Sequence, residues 1–422
     1  MVQHFFLTLL LCFVAFGTAA SAQDNPDRPM GPPPSGSPMG PPPGGFRNHK
    51  TQGTASPNGL KITSSTLAVR DQTFASDSAD ENAVQAVGGT LYLTDCTLLK
   101  RAGDSDDEDG SSFYGTNAAL AAYDGSTVNL SGGHIETSAK GANAIVASGG
   151  TVNVEGTTMN CTGRLSRGIH ATNGGTINAR NLTIRTAGDN SSVIATDRGG
   201  GTVIVEGGSY NCSGKDCAVL YSTGDIRATR ITGSSAKGEV GVIEGDNSIT
   251  INDCDLTSGS ATRGFMILQS GSGDSEGYNG RIDVSDSRIT LTGEQTPLVC
   301  IPTNITGTFT LSNVELTLPG GILMDVSYND RWTTSGSTGH LILKNGTYKG
   351  DVVADSEATA TVRVENGATW QGALNTANSG AKTSVVVEGT WILTADSYVD
   401  NVELNGDGRI IENGFHLVET KK

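Results

Sequence analysis

Basic and acidic side chains recur together through the middle of the chain: Arg164, Arg167 and His170, then Asp197 and Arg198, then Glu244, Asp246 and Arg263. Such a mixture is what cleavage of an acidic polysaccharide by elimination needs. A base such as Arg or Lys removes a proton, and carboxylates hold a calcium ion that neutralises the uronate. The catalytic candidates are Arg167, His170, Asp197, Arg198, Glu244 and Asp246. The plainer reading is that these are charged turn residues at strand ends, kept in solvent by alternation.

A second candidate is the insertion Asp104-Ser-Asp-Asp-Glu-Asp-Gly110, in which Asp104, Asp106, Asp107, Glu108 and Asp109 concentrate the oxygen ligands that calcium takes. It departs from an EF-hand loop, because Asp109 stands where glycine is required and no glutamate follows at the twelfth position. A solvated acidic loop is the simpler reading. The histidines are too scattered for a zinc pattern, and the glycine-rich stretches open no helix, which removes phosphate loops.

Six cysteines follow residue 22: Cys96, Cys161, Cys212, Cys217, Cys254 and Cys300. Cys212 and Cys217 could close a short loop through Ser213-Gly-Lys-Asp216; the others read as small buried hydrophobes. Asn-x-Ser/Thr sequons stand at Asn129, Asn160, Asn181, Asn190, Asn211, Asn304 and Asn345, and matter only in a source that glycosylates them.

The elements that must position these residues come from one recurring phrase: Gly149-Gly-Thr-Val-Asn-Val154, Gly174-Gly-Thr-Ile-Asn-Ala179, Gly200-Gly-Thr-Val-Ile-Val205. The branched residue opening each strand recurs at Val128, Val152, Ile177, Val203, Ile226 and Ile249, at intervals of 24, 25, 26, 23 and 23. A second apolar column, Ala144-Ile145, Gly168-Ile169, Val193-Ile194, Val219-Leu220 and Val242-Ile243, keeps step at 24, 25, 26 and 23. A third short strand follows each opener, as in Leu182-Thr-Ile184, Cys254-Asp-Leu256 and Arg288-Ile-Thr290. Three strands in each rung of about two dozen residues predict an all-β, right-handed single-stranded parallel β-helix of roughly 14 rungs. In that register Cys161 and Cys212 stand two rungs apart, about 10 Å, which is too far for a bridge.

After Ile249 the openers loosen to Ile282, Phe309, Leu341, Val362 and Val385, which requires side loops at Gly271–Tyr278 and Asn329–Ser335. Trp370, Trp391, Tyr398 and Phe415 gather where the last rungs must be capped. Thr-x-Thr pairs occur without regular stacking, which argues against an ice-binding face.

Ahead of the solenoid, residues 1–22 carry an apolar run from Phe5 to Phe16 and then Ala20-Ser-Ala22, the form of a cleaved secretory signal peptide. Residues 23–58 are a Pro/Gly-rich disordered arm in which Met30-Gly-Pro-Pro-Pro34 is echoed by Met39-Gly-Pro-Pro-Pro43. Residues 59–422 form the β-helix domain with its C-terminal cap. Net charge is −16, which repels nucleic acid and anionic lipid. With 57 Gly and 5% aromatic residues, the chain has too few bulky side chains for one large globular core, and no later stretch is long enough to cross a bilayer as a helix.

Ser111-Ser-Phe-Tyr-Gly-Thr-Asn-Ala-Ala119, Lys140-Gly-Ala-Asn-Ala144, Gly168-Ile-His-Ala-Thr172, Asp197-Arg-Gly-Gly-Gly-Thr-Val203 and Thr390-Trp-Ile-Leu-Thr-Ala-Asp-Ser-Tyr-Val399 resemble secreted right-handed β-helix proteins, largely microbial. That group is of pectin-lyase-like topology and is adhesin-like or carbohydrate-binding, and the resemblance covers most of residues 60–422. It implies an exported or cell-surface protein facing a polysaccharide or cell-surface glycan, without implying catalysis. Hydrolases of the polygalacturonase type, which share the topology, place several aspartates on one face. Gly245-Asp-Asn-Ser-Ile-Thr250 offers one aspartate where two belong, and Gly132-Gly-His-Ile135 lies upstream of it rather than downstream. The expectation is therefore a secreted, non-enzymatic protein binding glycans or mediating adhesion through an extended solenoid face. The alternative is a polysaccharide lyase or glycoside hydrolase acting on an acidic polysaccharide.

Overall fold

The structure, a computed structural model, describes residues 50–269, 275–302, 304–327 and 336–420. The expected signal peptide, most of the expected arm, part of the side loop Gly271–Tyr278 and all of the side loop Asn329–Ser335 lie outside the described residues. The chain forms a parallel β-solenoid of about 15 turns, consistent with a right-handed β-helix.

The Gly-Gly-Thr phrase divides its work between its two glycines. Gly174 has φ +71°, a left-handed conformation that side chains disfavour. Gly175 passes so close to the preceding rung that a Cβ would lie 2.0 Å from the Ala147 carbonyl oxygen. The first glycine turns the chain and the second lets it settle onto the rung beneath.

Past this turn the openers stack in register: Val128 pairs with Val152, Val152 with Ile177, Ile177 with Val203, Val203 with Ile226 and Ile226 with Ile249. The looser continuation also holds, through Ile282, Phe309, Leu341, Val362 and Val385. All of these are fully buried. Each contributes roughly 1.5–3 kcal/mol relative to exposure, which is how a narrow core of small aliphatics suffices.

Openers and third strands merge into one 22-stranded sheet, because Gly175–Thr186 and Gly201–Cys212 run through the corner unbroken. That corner takes a left-handed residue on many rungs, among them Asp95, Asn181, Asp253, Asp286 and Asn313, since Asn and Asp tolerate this conformation best after glycine. The second column forms a separate 12-stranded sheet. Its register departs from the sequence reading at one step: Leu220 pairs with Gly241 and Ser222 with Ile243, so Val242-Ile243 sits two residues further along than expected. A two-residue slip keeps every side chain on its own face. It places a glycine inward opposite Phe265, whose ring would lie 2.9 Å from any Cβ at Gly241.

Three further features depart from an all-strand reading beginning at residue 59. The first strand spans Thr54–Thr63, and a register shift between Ala55 and Leu60 accommodates Pro57 on the edge of the sheet. A short helix, Glu108–Tyr114, crosses the outside of the second column. Lys100 points into the core from the strand Thr97–Lys100, with its Nζ 3.3 Å from Ser76 Oγ and in contact with the Ser78 carbonyl. Near the C-terminal end, Trp370 and Trp391 stand on paired strands of a four-stranded sheet and stack in the core.

Candidate functional site

The second column presents two faces. Ile145, Ala147, Ile169 and Ala171 point inward, so alternation sends Val146 and His170 to the outer side. Here the structure gathers three of the sequence candidates. Arg167 Nη2 lies 3.2 Å from Asp197 Oδ2, and His170 Nε2 lies 3.7 Å from the same oxygen. His170 is 0% exposed, and neither ring nitrogen has a hydrogen-bond partner. Burial, reinforced by the Arg167 charge, holds its pKa well below the usual histidine range, so the ring is neutral. With side chains only 11% and 5% exposed, Arg167 and Asp197 form a buried ion pair instead of a solvent-facing acid–base pair.

The other candidates diverge from this cluster. The Arg198 guanidinium sits 3.9 Å above the Phe113 ring, fastened to the short helix. Glu244 accepts a 2.6 Å hydrogen bond from the Tyr221 hydroxyl, and Asp246 is exposed in the turn beyond. Tyr221 has its pKa raised by burial and then by the charges of the Glu244 and Asp197 carboxylates. The sequence reading did not single it out. Arg263 is engaged with Glu239 at 2.9 Å.

The acidic insertion is a corner rather than a cage. Asp107 caps the helix, its Oδ1 accepting from Gly110 N at 3.0 Å. Asp104 Oδ1 accepts from Lys140 N, and Glu108 lies 3.2 Å from both Lys140 Nζ and Arg164 Nη1. Those ion pairs draw the Glu108 pKa below the usual carboxylate value, against the opposing effect of burial. Asp106 and Asp109 do not join them in a ligand set: among the described residues no group of three or more His, Cys, Asp or Glu side chains converges as metal ligands would. The sequence registered the charge density but not the capping geometry that spreads it out.

Cys212 and Cys217 are free thiols, as are the other cysteines past residue 22. Cys217 Sγ turns to the preceding rung, 3.2 Å from the Gly188 carbonyl oxygen, and accepts from Ser191 N at 3.1 Å, while Cys212 Sγ donates to the Cys217 carbonyl. Among the sequons Asn181, Asn304 and Asn345 are exposed, while Asn129, Asn160, Asn190 and Asn211 are half-buried.

The outward face of the opener column carries a second site that the sequence reading missed. One outward position holds Tyr92, Asn129, Asn153, Asn178 and Ile204 on successive rungs. Asn178 Nδ2 donates to Asn153 Oδ1 at 2.9 Å, and Asn153 Nδ2 donates to Asn129 Oδ1 at 2.9 Å. These short amides make a floor between two larger walls, Tyr92 at 46% and Ile204 at 38% exposed. The result is an open trough of about 510 Å³, with Glu155, Arg180 and Glu206 along one side. Beside it a single column of threonines stacks, through Thr66, Thr90, Thr127, Thr151, Thr176 and Thr202, one per rung and not as Thr-x-Thr pairs. The signal was present in the recurring phrase, whose Thr and Asn keep the period of the opener between them.

Comparison with known proteins adds one relative. The chain is 24% identical over 354 residues, 77% of its length, to the BrkA autotransporter of Bordetella pertussis, a likeness that fits an adhesin-like β-helix protein. The chain spans 31% of the length of that relative. No family model matches, and no solved structure matches. Among the described residues no helix is long and apolar enough to cross a membrane.

Proposed function

We propose that this chain is a secreted or cell-surface protein of adhesion type, which uses the outward face of its opener sheet to hold a glycan. The observation that carries the reading is the open, amide-floored trough on that face. A rod of repeated rungs presents many similar weak contacts to a polymer, so avidity along the face takes the place of a deep pocket. The likeness to an autotransporter supports export to the surface. The charged candidates favour adhesion over cleavage, because His170 and the Arg167–Asp197 pair are withdrawn from solvent.

The test is retention of the full chain on a panel of plant, algal and microbial polysaccharides, with and without calcium, while the soluble fraction is assayed for new reducing or unsaturated ends. Retention without new ends is the expected result. Release of cut ends would move the reading to a lyase or hydrolase, and no retention by any polymer would remove glycan binding.

A further inference from the structure

We infer that the trough between Tyr92 and Ile204 takes an uncharged polysaccharide chain lying along the axis of the rod, an inference that rests on the glycan-binding reading above. Three features of the trough select the ligand. Its floor is uncharged yet hydrogen-bonding: Asn178 uses one N–H, Asn129 its carbonyl oxygen and Asn153 one of each within the ladder, and every Nδ2 keeps at least one N–H for an outside acceptor. These groups repeat at the rung spacing, about 4.8 Å. That is close to the rise of one pyranose unit in an extended 1,4-linked chain, so successive sugars would meet successive amides.

The wall at one end is an exposed aromatic ring. Tyr92 offers an apolar face on which a sugar ring can stack, with a polar tip that stays in water. The third feature is charge. Glu155, Arg180 and Glu206 flank the floor; Arg180 Nε lies 3.4 Å from Glu206 Oε2 and Arg230 also pairs with Glu206, so the flank holds no positive excess to offset the chain's net charge of −16. A uronate polymer would be repelled there, whereas a neutral hexose or pentose polymer would not. From Tyr92 to Ile204 the trough spans four rung steps, about 19 Å, enough for a short run of sugars.

The test is affinity gel electrophoresis of the full chain through hydroxyethyl cellulose, mannan, arabinoxylan and polygalacturonate, with Tyr92→Ala, Tyr92→Phe and Asn153→Leu compared with the parent. Retardation by at least one neutral polymer is expected. Tyr92→Ala should weaken it by about tenfold, Asn153→Leu should weaken it as well, and Tyr92→Phe, which keeps the ring, should stay near the parent. Both substitutions that remove contacts lie on the outer face, and an unchanged circular dichroism spectrum confirms that each variant is folded. Retardation by a neutral polymer that neither Tyr92→Ala nor Asn153→Leu alters would overturn this site and leave the broader reading standing. Retardation by polygalacturonate alone would overturn the neutral ligand. Retardation by none of the polymers would take down the glycan reading with it.

Discussion

Trp391 stacks on Trp370 one rung away, with ring centroids 4.8 Å apart and planes within 7° of parallel, and each indole N–H donates to a glycine carbonyl, Gly372 and Gly350 respectively. Both rings are fully buried, and they fill a core that smaller aliphatics fill elsewhere. In a solenoid each rung draws stability mainly from its neighbours. Trp391→Ala should therefore cost about 3–5 kcal/mol locally and loosen the last rungs first. Hydrogen exchange would show it: faster exchange over Lys382–Val387 and Asn401–Leu404, with Ile145–Ser148 unchanged. Uniform loss along the rod would contradict nearest-neighbour stability.

The Arg167–Asp197 pair makes a different prediction. Removing one partner of a buried pair leaves an uncompensated charge, which costs about 3–5 kcal/mol. Asp197→Ala should weaken exchange protection at Ile169–Thr172 and Ile194–Thr196 while leaving polymer retention intact. Loss of retention with protection unchanged would instead place the ligand on the second column.

Lys100 gives a pH dependence with a defined sign. Burial lowers its pKa from 10.5 to about 8 in the folded chain, against the raising effect of Glu81 and other nearby carboxylates. Between those two values the unfolded chain binds more protons than the folded one, so this group makes stability rise with pH across the window from about 8 to 10.5. Below the window the cost of burying the ammonium is fully present, on the order of 3 kcal/mol. Lys100→Met should be the more stable chain at pH 7, and its advantage should shrink as pH climbs to 10.5. Urea midpoints of the two chains measured across that range would check it, and parallel pH profiles would refute it.

Much of the scaffold was legible because a solenoid core repeats a single physical requirement. Val128, Val152, Ile177, Val203, Ile226 and Ile249 are inward residues of paired strands, and a fixed period is what inward stacking produces in sequence. The second column was readable until Gly241, where the space for a ring belonging to Phe265 displaced the apolar pattern by two residues. The helix Glu108–Tyr114 left no periodic trace, since it is only 7 residues held between the caps Asp107 and Gly115, and its acidic first turn resembled a metal loop.

The candidate sites were less legible for a related reason. His170 and Asp197 stand among the candidates that the sequence offers and lie together in the structure, but sequence carries no measure of what covers an outward residue, and here the cover is complete over His170. The asparagine floor was hidden in plain view: Asn129, Asn153 and Asn178 share the opener period, yet an outward ladder becomes a trough only where bulky Tyr92 and Ile204 bracket it.

The central claim, that the opener face between Tyr92 and Ile204 holds the polymer, is tested most directly by hydroxyl-radical footprinting of the full chain with and without a retained neutral polysaccharide. Tyr92 is 46% exposed and Tyr278, away from the trough, is 52% exposed, so the two rings begin almost equally open to labelling. Labelling of Tyr92 should fall on addition of polymer while that of Tyr278 holds constant. Shielding of Tyr278 with Tyr92 unchanged would contradict the assignment.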